Sequence, residues 1–478
     1  VQTKNSKKLD CARWRLLAAP LAGLALAGCA SLSPDSGFAP VEQTVRTHLG
    51  KDLQWTRSEA QRQDVQRRVI ELLAQPLSPD AAVQLALFNN RGLQAAFGEL
   101  GITEAEVVQA SRLPNPGFSF ARLTRGDEVE LERGLHFNLA RLLALPLIRQ
   151  VEGRRLERTQ NQVVLTVLAL AADTRKAYYQ ALAAEESVRY QRQVQQTAQA
   201  SAELARRMQQ VGNFNKLQRA REQAFYAEAT LDLARAEQAR QASRERLTRL
   251  LGLWGEQAAF KLPERLPDLP PTAAERPDIE RTALAQRLDV HAAKLAAQQT
   301  AKNLGLTKTT RFINVLEVGA IRNSSNEAPT QRGWEIGFEL PLFDWGDARV
   351  ARAEATYMQS VDRAAETAIN ARSEVRQAYG MYRSAYDIAR HQRDELVPLR
   401  KLIAEENGLR YNGMLIGVFE LLADARLQIG SVNRYIESLR DFWIAQADLE
   451  AALIGKPALA SAVGAGRVTA ATDGGAGH

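Results

Sequence analysis

The chain runs to 478 residues with a charged fraction of 24%, long enough for two or three domains with sizeable cores. Of its formal net charge of +7, Lys4, Lys7, Lys8, Arg13 and Arg15 against Asp10 place +4 in the first 28 residues. The remaining +3 is too small and too dispersed for a nucleic-acid surface, which argues against nucleic acid as a partner.

Residues 1–28 read as a secretory signal: a basic start, then an apolar stretch over 16–27 that is too short to span a bilayer. It ends in Leu26-Ala27-Gly28-Cys29, which resembles a bacterial lipoprotein processing box. On that reading Cys29 carries the lipid, and Ala30 in place of Asp favours the outer over the inner membrane. Plain signal cleavage with Cys29 incidental is the alternative. Cys11 lies inside the signal, so the processed chain is expected to offer no free thiol for disulfides, metal or catalysis. No run of 18 apolar residues occurs. Any spanning part is therefore expected to be a closed β-barrel.

Residues 29–76 read as a lipid-anchored polar linker without a clear period, save a short helix over 58–73. A first helix then starts with Ser78 as N-cap and Pro79 at the first helical position. It is expected to run to Leu113 and stop at Pro114-Asn115-Pro116. Two strands follow. Phe118 and Phe120 alternate with Ser119 and Ala121. Val129, Leu131, Leu135, Phe137 and Leu139 alternate with Glu130, Glu132, His136 and Asn138. Arg133 interrupts the apolar side, a break that suits a membrane interface. Such alternation is the transmembrane β pattern, or equally that of a half-buried soluble sheet.

A long helix comes next. Between 149 and 211 Gly153 is the one Gly or Pro, and 63 residues make about 95 Å of helix. Val163, Leu170, Ala177, Ala184, Ala198 and Ala205 recur in heptads, interleaved with Val167, Ala181, Val188 and Ala202. That is an Ala-rich coiled-coil stripe. The chain turns at Val211-Gly212-Asn213 and returns as a helix over 215–251. Five prolines in 262–277 mark a linker.

The pattern then repeats at an offset of 201: Leu135, Phe137, Tyr178 and Gly212 align with Ile336, Phe338, Tyr379 and Gly413. Strands are expected over 312–321 and 334–342, with Trp334, Ile336, Phe338, Leu340 and Leu342 on one side. The second long helix shows Ala364, Ala371, Ala378, Ala385 and Leu399 with Ala368, Val375, Tyr382, Ala389, Leu396 and Ile403. Pro398 is expected to kink or end it. The second turn is Tyr411-Asn412-Gly413, with a return over 417–453. Four strands do not close a membrane barrel, so either the sheet lies outside a membrane or several chains share one barrel.

With these elements in order, the chain resembles a TolC-type outer-membrane factor over about 77–456. The carriers are Leu77-Ser78-Pro79-Asp80-Ala81-Ala82 running to Asn90, Leu113-Pro114-Asn115-Pro116, Arg276-Pro277-Asp278 and Arg410-Tyr411-Asn412-Gly413. The resemblance implies an internally duplicated α+β membrane protein. It implies a homotrimer with a 12-strand transmembrane β-barrel continued by a 12-helix periplasmic α-barrel. The repeats would span 77–260 and 276–456, joined by linker 261–275 and followed by a disordered tail, 457–478. It also implies docking to a periplasmic adaptor and an inner-membrane pump. Members of that family usually carry an acid-Leu-Leu sequence after each turn. Here the second copy has Phe419-Glu420-Leu421-Leu422-Ala423-Asp424, set slightly far from Gly413. The first has Leu217-Gln218-Arg219-Ala220, without the acid.

Glu420 and Asp424 share one helix face. As a gate, three chains would bring six acids around a closed tip; as plain structure, they favour a helix N-terminus. Gly212, Asn213, Asn412 and Gly413 are candidate adaptor contacts, or turn residues needing positive φ. Tyr178, Tyr379 and Tyr382 read as core packing or a gate latch. The five histidines have no metal-ligand spacing, and no nucleophile setting is visible, so neither metal, cofactor nor enzymatic activity is expected. On that resemblance the chain is expected to be a passive exit duct, opened by an iris-like change at its helix tips on contact with an adaptor. A type I protein-secretion exit channel and a lipid-anchored periplasmic scaffold without a pore are the alternatives. The cargo is not named by the sequence.

Overall fold

The computed structural model describes residues 31–310, 316–338 and 342–455. Cys29, Phe312, Leu340 and the tail 457–478 lie outside them. Helices α1 (Ala39–Leu49), α2 (Glu59–Leu73), α3 (Pro79–Asn89) and α4 (Arg91–Ser111) lead to strands β1 (Gly117–Arg125) and β2 (Glu128–Asn138). Helix α5 (Leu139–Gln210) and its return α6 (Lys216–Leu251) follow. The chain then repeats the theme with α7 (Ile279–Gln286), α8 (Leu288–Thr310), β3 (Leu316–Ser325), β4 (Gln331–Phe338), α9 (Asp347–His391), α10 (Val397–Asn412) and α11 (Val418–Ile454). Strand hairpin, long helix and return helix thus occur twice. No helix among the described residues is long and apolar enough to cross a membrane.

Two compact units are resolved. Of the described residues, one holds those up to Val69, those of 87–168 and those of 287–370; the other holds Ile70–Ala86, Ala169–Gln286 and those from Ala371 on.

The first unit contains a four-stranded antiparallel sheet in the order β1-β2-β3-β4. Gly126 at φ 58 makes the tight turn from β1 to β2, and Arg125 pairs with Glu128 across it. The middle pairing joins strands from the two halves of the chain, with Leu135 opposite Ala320 and His136 opposite Gly319. The segment read as a linker is instead packed. Phe38 meets Phe97 edge-on at 5.0 Å and Trp55 at 6.0 Å, and the Gln160 amide donates to the Gly37 carbonyl at 2.9 Å. Its helices bury only two valines each, Val41 and Val45 in α1, Val65 and Val69 in α2. That is sparse, and only α2 was expected, as the helix over 58–73. The first helix is also not continuous. Asn90 has extended backbone and accepts from the Leu93 N–H at 3.0 Å, so it ends α3 and caps α4.

In the second unit the heptad stripe is the core. Ala177, Ala181, Val188, Ala198, Ala202 and Ala205 are buried, and Ala184 is half-buried. Alanine at these positions lets helices approach closely. Helix α5 starts ten residues earlier than its glycine spacing suggested and includes Pro146. In the second long helix Ala371, Val375, Ala378, Tyr382 and Ala389 are buried, but Leu399 is 51% exposed. The reason lies just before it. Pro398 has no N–H for the usual bond, and the preceding turn, Gln392–Leu396, widens to a π-helix in which the Val397 N–H donates to Gln392. The helix neither ends nor breaks. It takes in one extra residue, the stripe rotates, and Asn407 becomes the buried position of α10.

The tyrosines are anchors. The Tyr178 hydroxyl donates to the Leu77 carbonyl at 2.9 Å, Tyr382 accepts from the Ala274 N–H at 2.9 Å, and Tyr386 donates to the Pro271 carbonyl at 2.7 Å. Tyr379 stacks on Tyr382 at 6.5 Å. Burial pushes the Tyr179 phenol up to about 12 and raises Tyr178 as well. Burial likewise raises the Asp448 carboxyl, against the pull of Lys176 at 3.1 Å.

Candidate functional site

The sheet sorts its charges by side. Strand side chains alternate, so register assigns each to a face. Glu128, Glu130, Glu132, Glu317 and Glu335 all fall on one face with His136, Ser119, Asn323 and Gln331. The other face carries Phe118, Phe120, Leu135, Phe137, Val318, Trp334, Ile336 and Phe338, together with Arg122, Arg133, Arg322 and Arg332. Every strand glutamate is on the first face, and every strand arginine but Arg125 is on the second. The apolar side chains are open to the surroundings: Trp334 is 76% and Phe338 63% exposed.

A hydrogen-bonded chain crosses the acidic face. The Ser119 hydroxyl meets His136 Nε2 at 2.8 Å, and His136 Nδ1 meets Glu335 Oε1 at 2.6 Å. Two glycines make room for it. A Cβ on Gly134 would lie 2.5 Å from Ser119 Oγ, and one on Gly319 would lie 2.6 Å from Glu335 Oε1. Sequence reasoning missed this chain because Glu335 lies 199 positions from His136; only the strand register joins them. The residue types match a nucleophile relay, but strand amides lie in the sheet plane, so they do not converge on Ser119 to hold an oxyanion. The chain orients an imidazole and a carboxylate on a polar wall. Among the described residues no group of three or more His, Cys, Asp or Glu is placed to hold a metal ion.

In the second unit the two helix tips differ. At the first, Gly212 takes φ 83 and the Asn213 N–H donates to the Met208 carbonyl at 2.9 Å. Asn215 then caps α6 through a full capping box with Gln218. At the second, Asn412 ends α10 and Gly413 sits at φ −81, not in the left-handed region expected of it. Met414 takes that conformation, at φ 60, and is 93% exposed. Gly417 begins α11 with no side-chain cap. The turn closes one residue later, relative to its glycine, than at the first tip, which moves the positive φ past the glycine.

Glu420 is exposed. Asp424 is half-buried and accepts from the amide of buried Asn407. The acid missing just after the first tip is present further on. Glu222, 1% exposed, accepts from Ser201 Oγ at 2.8 Å and from Arg426 at 3.2 Å, and Arg426 lies over the Phe225 ring at 4.2 Å. Glu222 stands 202 positions before Asp424, so allowing the one-residue lengthening of the second turn would have found it.

No protein-family model matches the chain. It is 25% identical over 289 residues to the cobalt-zinc-cadmium resistance protein CzcC of Cupriavidus metallidurans, which covers 57% of this chain. The chain spans 64% of the length of that curated relative. Among solved structures, the MtrE outer membrane channel of Neisseria gonorrhoeae in its open state superposes with a TM-score of 0.66 at 18% identity, covering 81% of this chain and 89% of that one. The Campylobacter jejuni CmeC outer membrane channel gives 0.65 at 16% identity, covering 84% and 89%. The chain shares the helix-rich fold with a small sheet of these outer-membrane channels, the kind of protein that the TolC-type resemblance pointed to.

Proposed function

We propose that this chain is one third of an outer-membrane exit duct. The observation that carries the reading is the charge-sorted sheet. One face is exposed and, apart from its four arginines, apolar, which water does not tolerate over so wide an area, and the other is acidic. A bilayer outside and a water-filled lumen inside satisfy both. Four strands leave open edges that lipid does not tolerate. Three copies would supply twelve strands and close the wall. An open cleft of about 1170 Å³ in the helical unit, lined by Ala183, Ala184, Ala236 and Ala239, suits close packing by a neighbouring helix.

On this reading the two halves are copies of one unit, the strands sit in the outer membrane, and the helices form the periplasmic tunnel. An adaptor contacts the tips at Gly212, Asn213, Asn412 and Gly413, an inner-membrane pump supplies the energy, and Cys29 carries a lipid. The relative's name, cobalt-zinc-cadmium resistance, and the five glutamates of the inner face together favour divalent metal cations as cargo. Glu420 contributes to a carboxylate ring at the closed tip, with Asp424 held beside it by Asn407. Divalent cations on the periplasmic side would then block current, and Glu420→Gln with Asp424→Asn would weaken the block.

Purified protein in planar bilayers should give discrete conductance steps, and its native mass should be that of a trimer. A stable soluble monomer without conductance would leave the scaffold reading standing and this one not. Fatty-acid labelling lost in Cys29→Ser tests the anchor separately.

A further inference from the structure

The arginine that interrupts the apolar face is not alone. Arg133 is directly opposite Arg322, and Arg322 is directly opposite Arg332, so three guanidinium groups stand in one row across β2, β3 and β4. Arg122 stands one step further along the same face. Adjacent strands are about 5 Å apart, which puts the row within about 10 Å. Like charges directly opposite one another in a sheet repel. No strand carboxylate shares this face to relieve them, because every strand glutamate points to the other side.

The next row, toward the ends of the strands away from the hairpin turns, is Phe118, Leu135, Ala320 and Trp334. Beyond it come Phe137, Val318 and Ile336. The face therefore presents a line of cations on top of an apolar wall. That is the complement of an amphiphile with an anionic head and hydrocarbon tails. Guanidinium pairs with phosphate through parallel hydrogen bonds and loses less hydration than an ammonium would.

We propose that Arg133, Arg322 and Arg332 form a binding site for the anionic phosphate head groups of membrane lipid, in the leaflet nearer the two hairpin turns. Their acyl chains lie over Trp334, Ile336 and Leu135. The proposal rests on the reading of this sheet as a bilayer-spanning wall. It assigns the arginines a ligand that relieves their mutual repulsion and fixes the depth at which the sheet sits.

The test is a lipid titration of the purified full-length protein in detergent, read by native mass, with phosphatidic acid and phosphatidylcholine of matched chains. Wild type should retain phosphatidic acid in preference. At about 1 kcal/mol for each basic residue near an anionic surface, replacing all three by Gln should lower that preference about a hundredfold. Replacing all three by Lys should keep most of it. If the triple Gln protein does not fold, Arg332→Gln alone, on an exposed edge-strand residue, reads the same preference. Equal retention by wild type and the Gln variants overturns the site. So does inorganic phosphate that displaces the lipid at matched concentration, since the occupant is then free anion. Conductance is recorded separately: a conducting protein without lipid preference removes this proposal alone, while a lipid-selective protein without conductance removes only the duct.

Discussion

The two helix tips perform the same turn with different means. The first uses glycine where the backbone is left-handed and asparagine where a helix starts, each residue suited to its position. The second puts methionine in the left-handed position and glycine at an uncapped helix start. Near the first tip the acid, Glu222, is buried and charge-paired, while near the second Glu420 is exposed and Asp424 has only an amide. The difference teaches that the first turn matches residue type to conformation position by position, while Glu222 and Arg426 tie the return helices of the two hairpins to each other. The second turn is exposed and closed by backbone hydrogen bonds to the Leu409, Arg410 and Tyr411 carbonyls around a methionine in a conformation costly for it, which makes it the better candidate for the moving part.

The sharpest way to break this contrast is Arg426→Met. It leaves the Glu222 carboxylate buried with only Ser201, and a cost of about 2 kcal/mol follows from stranding a paired charge. Thermal unfolding should show it, and Glu222→Met added to Arg426→Met should recover much of the loss. A melting temperature unmoved by Arg426→Met would mean that the pair does not tie the two hairpins together.

Glycine substitutions separate the tips directly. Gly212→Ala should cost about 1.5 kcal/mol because an alanine there is left-handed. Gly413→Ala should stay within about 0.5 kcal/mol, since its φ is ordinary and a Cβ would meet nothing closer than the Leu409 carbonyl at 3.5 Å. Equal costs in chemical denaturation would erase the distinction. At the helix starts, Asn215→Ala should lose about 1 kcal/mol with its capping box, whereas Gly417→Asn should gain a few tenths. A Gly417→Asn protein less stable than wild type would show that this cap serves something other than the helix.

The smallest effect is electrostatic. Hydrogen bonds from Arg206 and Arg207 hold the Glu203 carboxyl, in the last turns before the first tip, down at about 2. A depressed carboxyl supports the fold above its ordinary range near 4.5 and loses that support as pH falls through about 2. Carboxyl chemical shifts should therefore stay those of an ionised Glu203 at pH 4. Titration there near its ordinary value would show the arginines disengaged.

Much of this was legible before any coordinates. Alternation at Phe118–Ala121 and at Trp334–Phe338, and an alanine every seven residues, are local signals that packing preserved. What escaped was either too sparse or too distant. Two valines in eleven residues, with no side-chain cap at the start, do not make a period, so α1 was invisible while the longer α2 was expected. The widened turn before Pro398 shifted the stripe by one residue, which no spacing rule foresees, and Leu399 went to the surface. A turn that closes one residue late moved positive φ from Gly413 to Met414. The pairing of His136 with Glu335 and the row of Arg133, Arg322 and Arg332 depend on the β2–β3 register, which is set by the fold rather than by any neighbourhood in the chain.

The central claim is an acid-lined lumen behind an apolar wall, and ion selectivity tests it most directly. With a potassium chloride gradient across a planar bilayer, the reversal potential of the protein's conductance should mark a cation-selective pore. Glu132→Gln, Glu317→Gln and Glu335→Gln together should move it toward zero. Anion selectivity, or a reversal potential that the three substitutions leave in place, would contradict the assignment of the glutamate face to the lumen.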